Sequence, residues 1–269
     1  MTETSTRPRI SADRARSWML RSPLSESDAV APDALVLDLE DGLAPELKDE
    51  GREAAAAVLG RREAWVRVSG HGTPAWDADL RAVGSAAGLQ GIVLAETASA
   101  AQVEATAERL PAGTRIVALI ESAIGLERAL SIASHPATFR LAFGSGDFRR
   151  DTGMADDPVV LSWPRARLVV ASAAAGIPAP IDGPCLGSPT DALAAARHAL
   201  AMGMTGKLVL RDDHLAPLHE GLSPTTDAIR DAIRILDGPA HGDGSYAPAR
   251  ARAELLLERA AAFGLAAAR

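Results

Sequence analysis

The sequence has few aromatic residues, one cysteine and no long apolar run. Aromatics make up 3% of the 269 residues and hydrophobic residues 47%, so the core must be largely aliphatic. Because Cys185 is the only cysteine, a disulfide within the chain is excluded, and we expect a reducing, cytoplasmic environment. No stretch approaches about 20 uninterrupted apolar residues, so no membrane span is expected. The polar residues 1–9 lack the apolar segment of a signal peptide.

Basic tracts and nucleotide-binding glycine motifs are also missing. The formal net charge is −7, and no cluster of lysine and arginine interrupts the acidic balance, which argues against nucleic acid as a partner. No Gly-x-Gly-x-x-Gly follows the first apolar run, and no Gly-x-x-x-x-Gly-Lys-Ser/Thr occurs. These absences disfavour a dinucleotide-binding fold and a P-loop.

Short apolar runs are abundant and alternate with longer amphipathic stretches. Their continuous apolar character is typical of parallel strands that are covered on both faces. Eight such units in 269 residues predict an α/β protein, specifically a (β/α)8 TIM barrel with a C-terminal helical extension. A doubly wound open sheet is the main rival. The eight runs are 17–20, 34–39, 64–68, 91–94, 115–120, 140–143, 179–181 and 207–210.

The helical stretches carry recognisable start signals. Thr73, Ser188 and Ser223 each precede a proline, an arrangement typical of a helix N-cap followed by proline at the first helical position. The link 21–33 is too short and polar for a full helix. The predicted helices are 46–60, 74–87, 98–110, 123–135, 158–175, 189–203 and 224–236.

We expect three parts along the chain. Residues 1–13 form a flexible N-terminal tail, and residues 14–237 form the barrel. Residues 238–269 form a linker rich in glycine and proline and a C-terminal helix, predicted over 249–265, which docks on the barrel or on a neighbouring subunit.

Carboxylates follow several of the apolar runs. Glu40 and Asp41 follow the second run, Glu121 the fifth and Asp147 the sixth, while Arg67 lies near the end of the third. The carboxyl ends of barrel strands meet at one mouth, so these side chains are expected to converge. Carboxylate oxygens suit Mg²⁺, which takes few protein ligands, and an arginine can clamp a substrate carboxylate.

A structural interpretation of these residues remains open. Carboxylates at strand ends also cap helices or pair with arginine, so the acidic strand ends could be structural only. For Asp38, the alternation of the second run favours such a structural role. Gly146, in the Gly-Ser-Gly before Asp147, would let the backbone approach a ligand closely.

Motifs spread almost from end to end give the chain a family resemblance. It resembles the citrate lyase β-subunit-like, or malyl-CoA lyase-like, members of the HpcH/HpaI aldolase superfamily. The matching segments are Arg16-Ser17-Trp18, Leu37-Asp38-Leu39-Glu40-Asp41-Gly42-Leu43-Ala44-Pro45, Val66-Arg67-Val68-Ser69-Gly70, Ala118-Leu119-Ile120-Glu121-Ser122-Ala123, Leu141-Ala142-Phe143-Gly144-Ser145-Gly146-Asp147-Phe148, Pro178-Ala179-Pro180-Ile181-Asp182-Gly183 and Gly206-Lys207-Leu208.

The resemblance implies Mg²⁺ held by Glu121 and Asp147, with Glu40 and Asp41 around its waters. It implies that Arg67 binds the substrate carboxylate and acts catalytically with Glu40 and Asp41. Arg16 and Gly146 are assigned to substrate binding. The activity implied is reversible carbon–carbon cleavage of a 3-hydroxy acid or its CoA thioester into an acyl product and a 2-oxo acid. Members of the family are commonly homotrimers or hexamers.

Three departures from the family pattern keep other functions open. The usual Phe-Val-Pro-Gly after Arg16-Ser17-Trp18 is absent, and a lysine usual after the fourth strand is replaced by Glu96. A catalytic aspartate usual in the C-terminal linker is matched by Tyr246 or, in a shifted register, by Asp243. The alternatives are therefore a thioester hydrolase, or a subunit that binds metal and carboxylate with little turnover.

Overall fold

The strands of this protein close into a barrel. The computed structural model describes residues 10–25, 31–238 and 246–265. Eight parallel strands pair in chain order, and β1 pairs with β8, so the barrel prediction is confirmed and the open sheet is excluded. The strands are β1 (Ser17–Arg21), β2 (Ala34–Asp38), β3 (Ala64–Val68), β4 (Leu89–Leu94), β5 (Ile116–Ile120), β6 (Thr138–Phe143), β7 (Ile181–Asp182) and β8 (Gly206–Val209).

Helices cover the barrel between successive strands. Two of them, α6 and α9, each eight residues long, fall outside the predicted helical stretches. The helices are α1 (Lys48–Leu59), α2 (Pro74–Val83), α3 (Ala100–Ala107), α4 (Ala123–Glu127), α5 (Ala129–Ala133), α6 (Ser145–Thr152), α7 (Ser162–Ala175), α8 (Pro189–Ala201), α9 (Leu215–Leu222), α10 (Thr226–Asp237) and α11 (Tyr246–Ala262), with 3-10 turns at Pro45–Leu47 and Asp212–His214.

Two of the three predicted helix caps are confirmed. The side chains of Thr73 and Ser188 accept hydrogen bonds from the first turns of α2 and α8. The third prediction was wrong. Ser223 donates its hydroxyl proton to the carbonyl of His219 (2.5 Å), and Thr225 caps α10 instead.

The strand residues alternate between two apolar layers. Val36, Trp65 and Val117 belong to the cluster inside the barrel, whereas their sequence neighbours pack outward against the helices. Trp65 meets Trp18 edge to face, with ring centroids 4.9 Å apart. Because large side chains fill this interior, the barrel is a packed core and a ligand must bind at one of its ends.

The C-terminal helix packs on the barrel of its own chain. Arg259 of α11 donates to the carbonyl of Leu222 (2.8 Å), and Arg14, which precedes β1, donates to the carbonyl of Glu258 (2.9 Å). These contacts lie at the amino-terminal end of the barrel. The predicted linker and tail fall largely on residues 239–245 and 1–9, which lie outside the described residues. In the described part of the chain, no helix has the length and apolarity that a membrane span needs.

Candidate active site

A cleft of about 600 Å³ opens at the carboxyl ends of the strands. It collects all four of the carboxylates that were predicted to converge. Its lining comes from the segments after β2, β4 and β5 and from α6, and consists of Glu40, Asp41, Glu96, Glu121, Ser122, Asp147, Arg150 and Asp151. The lining is strongly acidic, which distinguishes this cleft from an apolar ligand pocket.

Arg67 lies beneath this cleft, on the inward face of β3, and is 8% exposed. Its Nε and Nη2 donate to the two carboxylate oxygens of Asp38 (2.8 and 2.6 Å), and its Nη1 lies 2.8 Å from Glu40 Oε2. Burial alone would lower the pKa of Arg67, but the bonds to Asp38 outweigh it and raise the pKa above its ordinary value. Arg67 is therefore a fixed cation, and Asp38 orients it, which agrees with a structural role for Asp38.

Glu121 follows β5 and is 7% exposed. Its Oε1 accepts a hydrogen bond of 2.5 Å from the backbone N–H of Glu96. Burial raises the pKa of Glu121 to about 8, and the negative charges of Glu40 and Asp147 add to the rise, against the opposing effect of the Glu96 bond. A carboxyl that is reluctant to ionise in this setting gains from a nearby cation.

Two backbone features hold Glu121 in position. Glu96 has a left-handed backbone (φ 50°), rare for a residue with a side chain, and this conformation accompanies the N–H bond to Glu121. On the other side, a Cβ added at Gly144 would lie 2.5 Å from both Cβ and Oε2 of Glu121. Gly144 is thus required for close approach to the glutamate.

Asp147 lies in the first turn of α6, which follows β6, the strand paired with β5. Its Oδ1 pairs with Arg150 Nη1 at 2.6 Å. The neighbouring Asp151 accepts a hydrogen bond from the N–H of Ala123 (2.7 Å), which fixes α6 against the start of α4. Asp147 and Glu121 therefore face the same cleft from rigid supports.

The donor set of this cleft fits a hard divalent cation with few protein ligands. Among residues 10–25, 31–238 and 246–265, no group of three or more His, Cys, Asp or Glu side chains could hold a metal ion. Glu121 and Asp147 offer two carboxylates, and Mg²⁺ commonly uses one or two carboxylates with water and substrate oxygens completing its octahedron. The open cleft leaves room for those other ligands.

Glu40 and Asp41 differ in their surroundings. The loop that carries them is held by Lys48, whose Nζ donates to the carbonyls of Leu39 (2.6 Å) and Glu40 (2.5 Å). Burial raises the pKa of Glu40 to about 7, although the charge of Arg67 opposes the rise. The side chain of Asp41 is 68% exposed and lies 3.9 Å from Arg67. Glu40 can therefore exchange a proton near neutrality, whereas Asp41 lies at the rim.

Arg16 is not brought to this cleft, which corrects its assignment to substrate binding there. It precedes β1, so it lies at the amino-terminal end of the barrel, where its Nε donates to Asp33 (2.8 Å) and its Nη1 to Ser223 (2.8 Å). The strand direction carries it to the opposite mouth. Gly146 lies in α6 one residue before Asp147, and a Cβ added to it would meet nothing within 4 Å.

Of the two candidates from the C-terminal linker, Tyr246 is not among the described residues that line the cleft. Tyr246 begins α11, and its hydroxyl lies 3.5 Å from Nη1 of Arg250. Asp243 lies outside the described residues.

Two charged residues outside the predicted site set are placed by the structure. The Arg149-Arg150 pair has two interpretations from the sequence, solvated helix positions or a phosphate contact, and the structure places Arg150 in the lining of the cleft, three residues after Asp147 on α6. Lys207 was noted only as part of a matching segment, and it is 2% exposed and donates to Asp182 (2.6 Å). Asp182 also accepts from Arg165 of α7 (2.8 Å), so it links α7 to β7 and β8.

A family model spans most of the chain. The model described as HpcH/HpaI aldolase/citrate lyase matches residues 22–211. This chain belongs to that family. The carboxylates of the cleft and Arg67 all lie within the matched range.

Curated relatives carry more than one activity. The chain is 28% identical over 234 residues to a (3S)-malyl-CoA thioesterase of Cereibacter sphaeroides, covering 82% of this chain and 81% of that protein. It is 29% identical over 261 residues to an L-malyl-CoA/beta-methylmalyl-CoA lyase of the same species, covering 81% of each.

A solved structure of a relative contains ligands. The protein CitE from Mycobacterium tuberculosis, in complex with magnesium, acetoacetate and coenzyme A, superposes with a TM-score of 0.79. It is 25% identical, and the match covers 93% of this chain and 99% of that one.

Proposed function

We propose that this protein is a Mg²⁺-dependent carbon–carbon lyase that cleaves or forms a 3-hydroxy acid or its CoA thioester, with a 2-oxo acid as the small product. The observation that carries the proposal is the convergence of Glu121 and Asp147 above the fixed cation Arg67 in one cleft. The relatives support it, because lyases acting on CoA esters are among them.

Glu121 and Asp147 would hold the metal ion. When bound, a divalent cation of this kind polarises a substrate carbonyl or hydroxyl oxygen and stabilises negative charge on it. The acidic pair needs such a cation, since burial and mutual repulsion raise the pKa of Glu121. Asp41 at the rim is a candidate for hydrogen bonds to water in the same cleft.

Arg67 and Glu40 would carry the other roles. The guanidinium of Arg67 faces the floor of the cleft in a fixed orientation, suited to the carboxylate of a 2-oxo acid. Glu40 has a pKa of about 7 and so could accept the hydroxyl proton of the substrate. As the carbon–carbon bond breaks, its electron pair moves onto the α-carbon of the acyl group as an enolate, and a proton returned to that α-carbon completes the acyl product.

A thioester hydrolase is the second candidate. It is favoured by the similarity to a malyl-CoA thioesterase over most of both chains. Both reactions could use the same metal ion and Arg67, and they differ in the bond that breaks. Hydrolysis releases a free CoA thiol and a hydroxy acid, whereas the lyase reaction releases a 2-oxo acid and keeps the thioester intact.

The deciding experiment incubates the protein with malyl-CoA and Mg²⁺ and measures both products. A lyase produces glyoxylate, detected as a phenylhydrazone, without a matching rise in free thiol. A thiol signal without glyoxylate would favour hydrolysis and overturn the lyase proposal. Metal-dependent binding of oxaloacetate with neither product would favour a binding subunit.

Active-site variants connect the activity to the cleft. Glu121→Gln and Asp147→Asn keep the side-chain size and are expected to abolish metal-dependent turnover. For the arginine, Arg67→Lys is preferable to Arg67→Ala, because alanine would leave Asp38 buried without its partner and would cost roughly 3 kcal/mol or more of stability. Wild-type rates in the Glu121 and Asp147 variants would contradict the metal assignment.

We also propose that the protein assembles as a homotrimer or hexamer, as the family resemblance implies. Light scattering coupled to size-exclusion chromatography measures the assembly directly, and a monomeric mass at micromolar concentration would contradict it.

A further inference from the structure

The cleft has an unusual balance of charges for a site that takes acidic substrates. Among the described residues that line it, Arg150 is the only cation. Arg67 lies below, and its nitrogens already contact Asp38 and Glu40. A substrate with a second anionic group, besides the one bound near Arg67, would therefore meet mostly carboxylates at the rim.

Arg150 pairs with Asp147, the same carboxylate that the metal would use. Its Nη1 lies 2.6 Å from Asp147 Oδ1. A divalent cation bound to Asp147 competes with the guanidinium for the charge of the same carboxylate and repels it. The ion pair therefore belongs to the metal-free arrangement, and metal binding weakens it.

The ion pair can be released at little cost. The side chain of Arg150 is 81% exposed, and exposed pairs of this spacing contribute little to stability. The adjacent Arg149 is different, since its Nε donates to the carbonyl of Ser145 (3.2 Å) and its Nη2 lies 3.5 Å from Asp156. Of these two arginines, only Arg150 both lines the cleft and has a side chain that can turn into it.

We propose that Arg150 is a substrate-binding residue that metal binding releases from Asp147, and that it then binds a second anionic group of the substrate, a carboxylate or a phosphate, at the rim of the cleft. This inference rests on the proposed metal site. It makes metal and anion binding reciprocal: the anion favours the metal-loaded protein because it engages the arginine that the metal displaces.

Calorimetric titration of the metal-free protein with Mg²⁺ alone tests whether the metal and Arg150 compete for Asp147. Arg150→Gln is expected to bind Mg²⁺ about two- to fivefold more tightly than wild type. The substitution removes a guanidinium that competes with the metal for Asp147, and an exposed ion pair of this kind is weak. Arg128→Gln is the matched control. It removes one exposed arginine between α4 and α5, whose Nη1 donates to the carbonyl of Ala98 (3.4 Å), so it reports the effect of net charge.

Titration of the Mg²⁺-loaded proteins with anions tests whether Arg150 binds a second anionic group. Arg150→Gln is expected to weaken binding of oxaloacetate or of coenzyme A about tenfold, the loss typical of a charge-assisted hydrogen bond, and Arg150→Lys is expected to recover part of it. An effect on oxaloacetate alone identifies a second carboxylate, and an effect on coenzyme A alone identifies a phosphate. Pyruvate, which has one carboxylate, should bind both proteins equally.

The outcomes separate this inference from the proposed function. If wild type fails to bind Mg²⁺, or Glu121→Gln binds it equally well, the proposed metal site fails. If Mg²⁺ binding depends on Glu121 but Arg150→Gln changes neither metal nor anion affinity beyond the Arg128→Gln control, only the role of Arg150 is overturned. Weaker Mg²⁺ binding in Arg150→Gln, or an equal loss for pyruvate, would also overturn it.

Discussion

Replacing Glu121 by glutamine should change how the stability of the metal-free protein depends on pH. The pKa of the folded-state carboxyl is about 8, compared with an ordinary value of 4.5, mainly because the side chain is buried. Between these values the unfolded chain releases the Glu121 proton and the folded chain keeps it. Unfolding therefore becomes easier as the pH rises through this window.

The structure sets the size of this effect. A pKa difference of 4.5 to about 8 corresponds to a ceiling of about 5 kcal/mol, at about 1.4 kcal/mol for each unit. Only 7% of Glu121 is exposed, so solvent screens the charge weakly. Glutamine cannot ionise, and its amide oxygen can still accept the N–H of Glu96. Glu40 titrates in both proteins, so its contribution largely cancels in the comparison.

Urea unfolding in the presence of a chelator measures the difference. Trp18 and Trp65 are fully buried in the barrel, so tryptophan fluorescence reports loss of the core. Between pH 5 and pH 9, we expect the free energy of unfolding of Glu121→Gln to rise relative to that of wild type by about 2–5 kcal/mol. Added Mg²⁺ should raise the free energy of unfolding of wild type most strongly at high pH and should leave that of the variant unchanged. Parallel pH profiles for the two proteins would refute the reasoning.

Three further substitutions probe the supports of the site and the barrel. Gly144→Ala should weaken Mg²⁺ binding by about tenfold or more, measured by calorimetry, because the new Cβ intrudes on the metal-binding glutamate; Gly60→Ala, whose added Cβ makes only ordinary contacts from 3.5 Å, is the control. Glu96→Val should destabilise the protein by about 1–2 kcal/mol in urea unfolding and Glu96→Gly should not, because φ is 50°; equal stability of the two variants would contradict the strain. Lys207→Met should cost roughly 3 kcal/mol, since it leaves the buried Asp182 with one cation fewer, and the double variant with Asp182→Asn should recover stability.

The change from lysine to Glu96 has a local structural meaning. Its backbone N–H bonds Glu121, and a Cβ added at Gly70 would lie 2.6 Å from Glu96 Oε2, so the carboxylate lies against the loop after β3. The backbone of residue 96 thus supports the candidate metal ligand, while its side chain adds negative charge to the rim. Among the described lining residues, Arg150 is the one cation beside these carboxylates.

The periodicity of the sequence was sufficient to predict the barrel, because each parallel strand is a short apolar run buried on both faces. It was also sufficient to nominate Glu40, Asp41, Glu121 and Asp147, since strand ends on a closed barrel meet at one mouth and the structure brings all four to the lining of one cleft. Helices α6 and α9 were not predicted because each has only eight residues and no side-chain N-cap, whereas α3, of the same length, begins after the capping residue Ser99.

Side-chain partners from different strands were decided only by the tertiary structure. Arg16 precedes the predicted first strand, so strand direction already placed it at the amino-terminal end of the barrel, and its assignment to substrate binding came from the motif alone. The pairing of Arg67 with Asp38 depends on strand register, whereas Arg150 and Asp147, three residues apart, pair once α6 forms. The raised pKa of Glu121 arises from burial by residues distant in sequence. The sequence by itself thus determined the barrel and the kind of chemistry at its mouth, whereas packing determined which charges meet there, because charge and burial act through space.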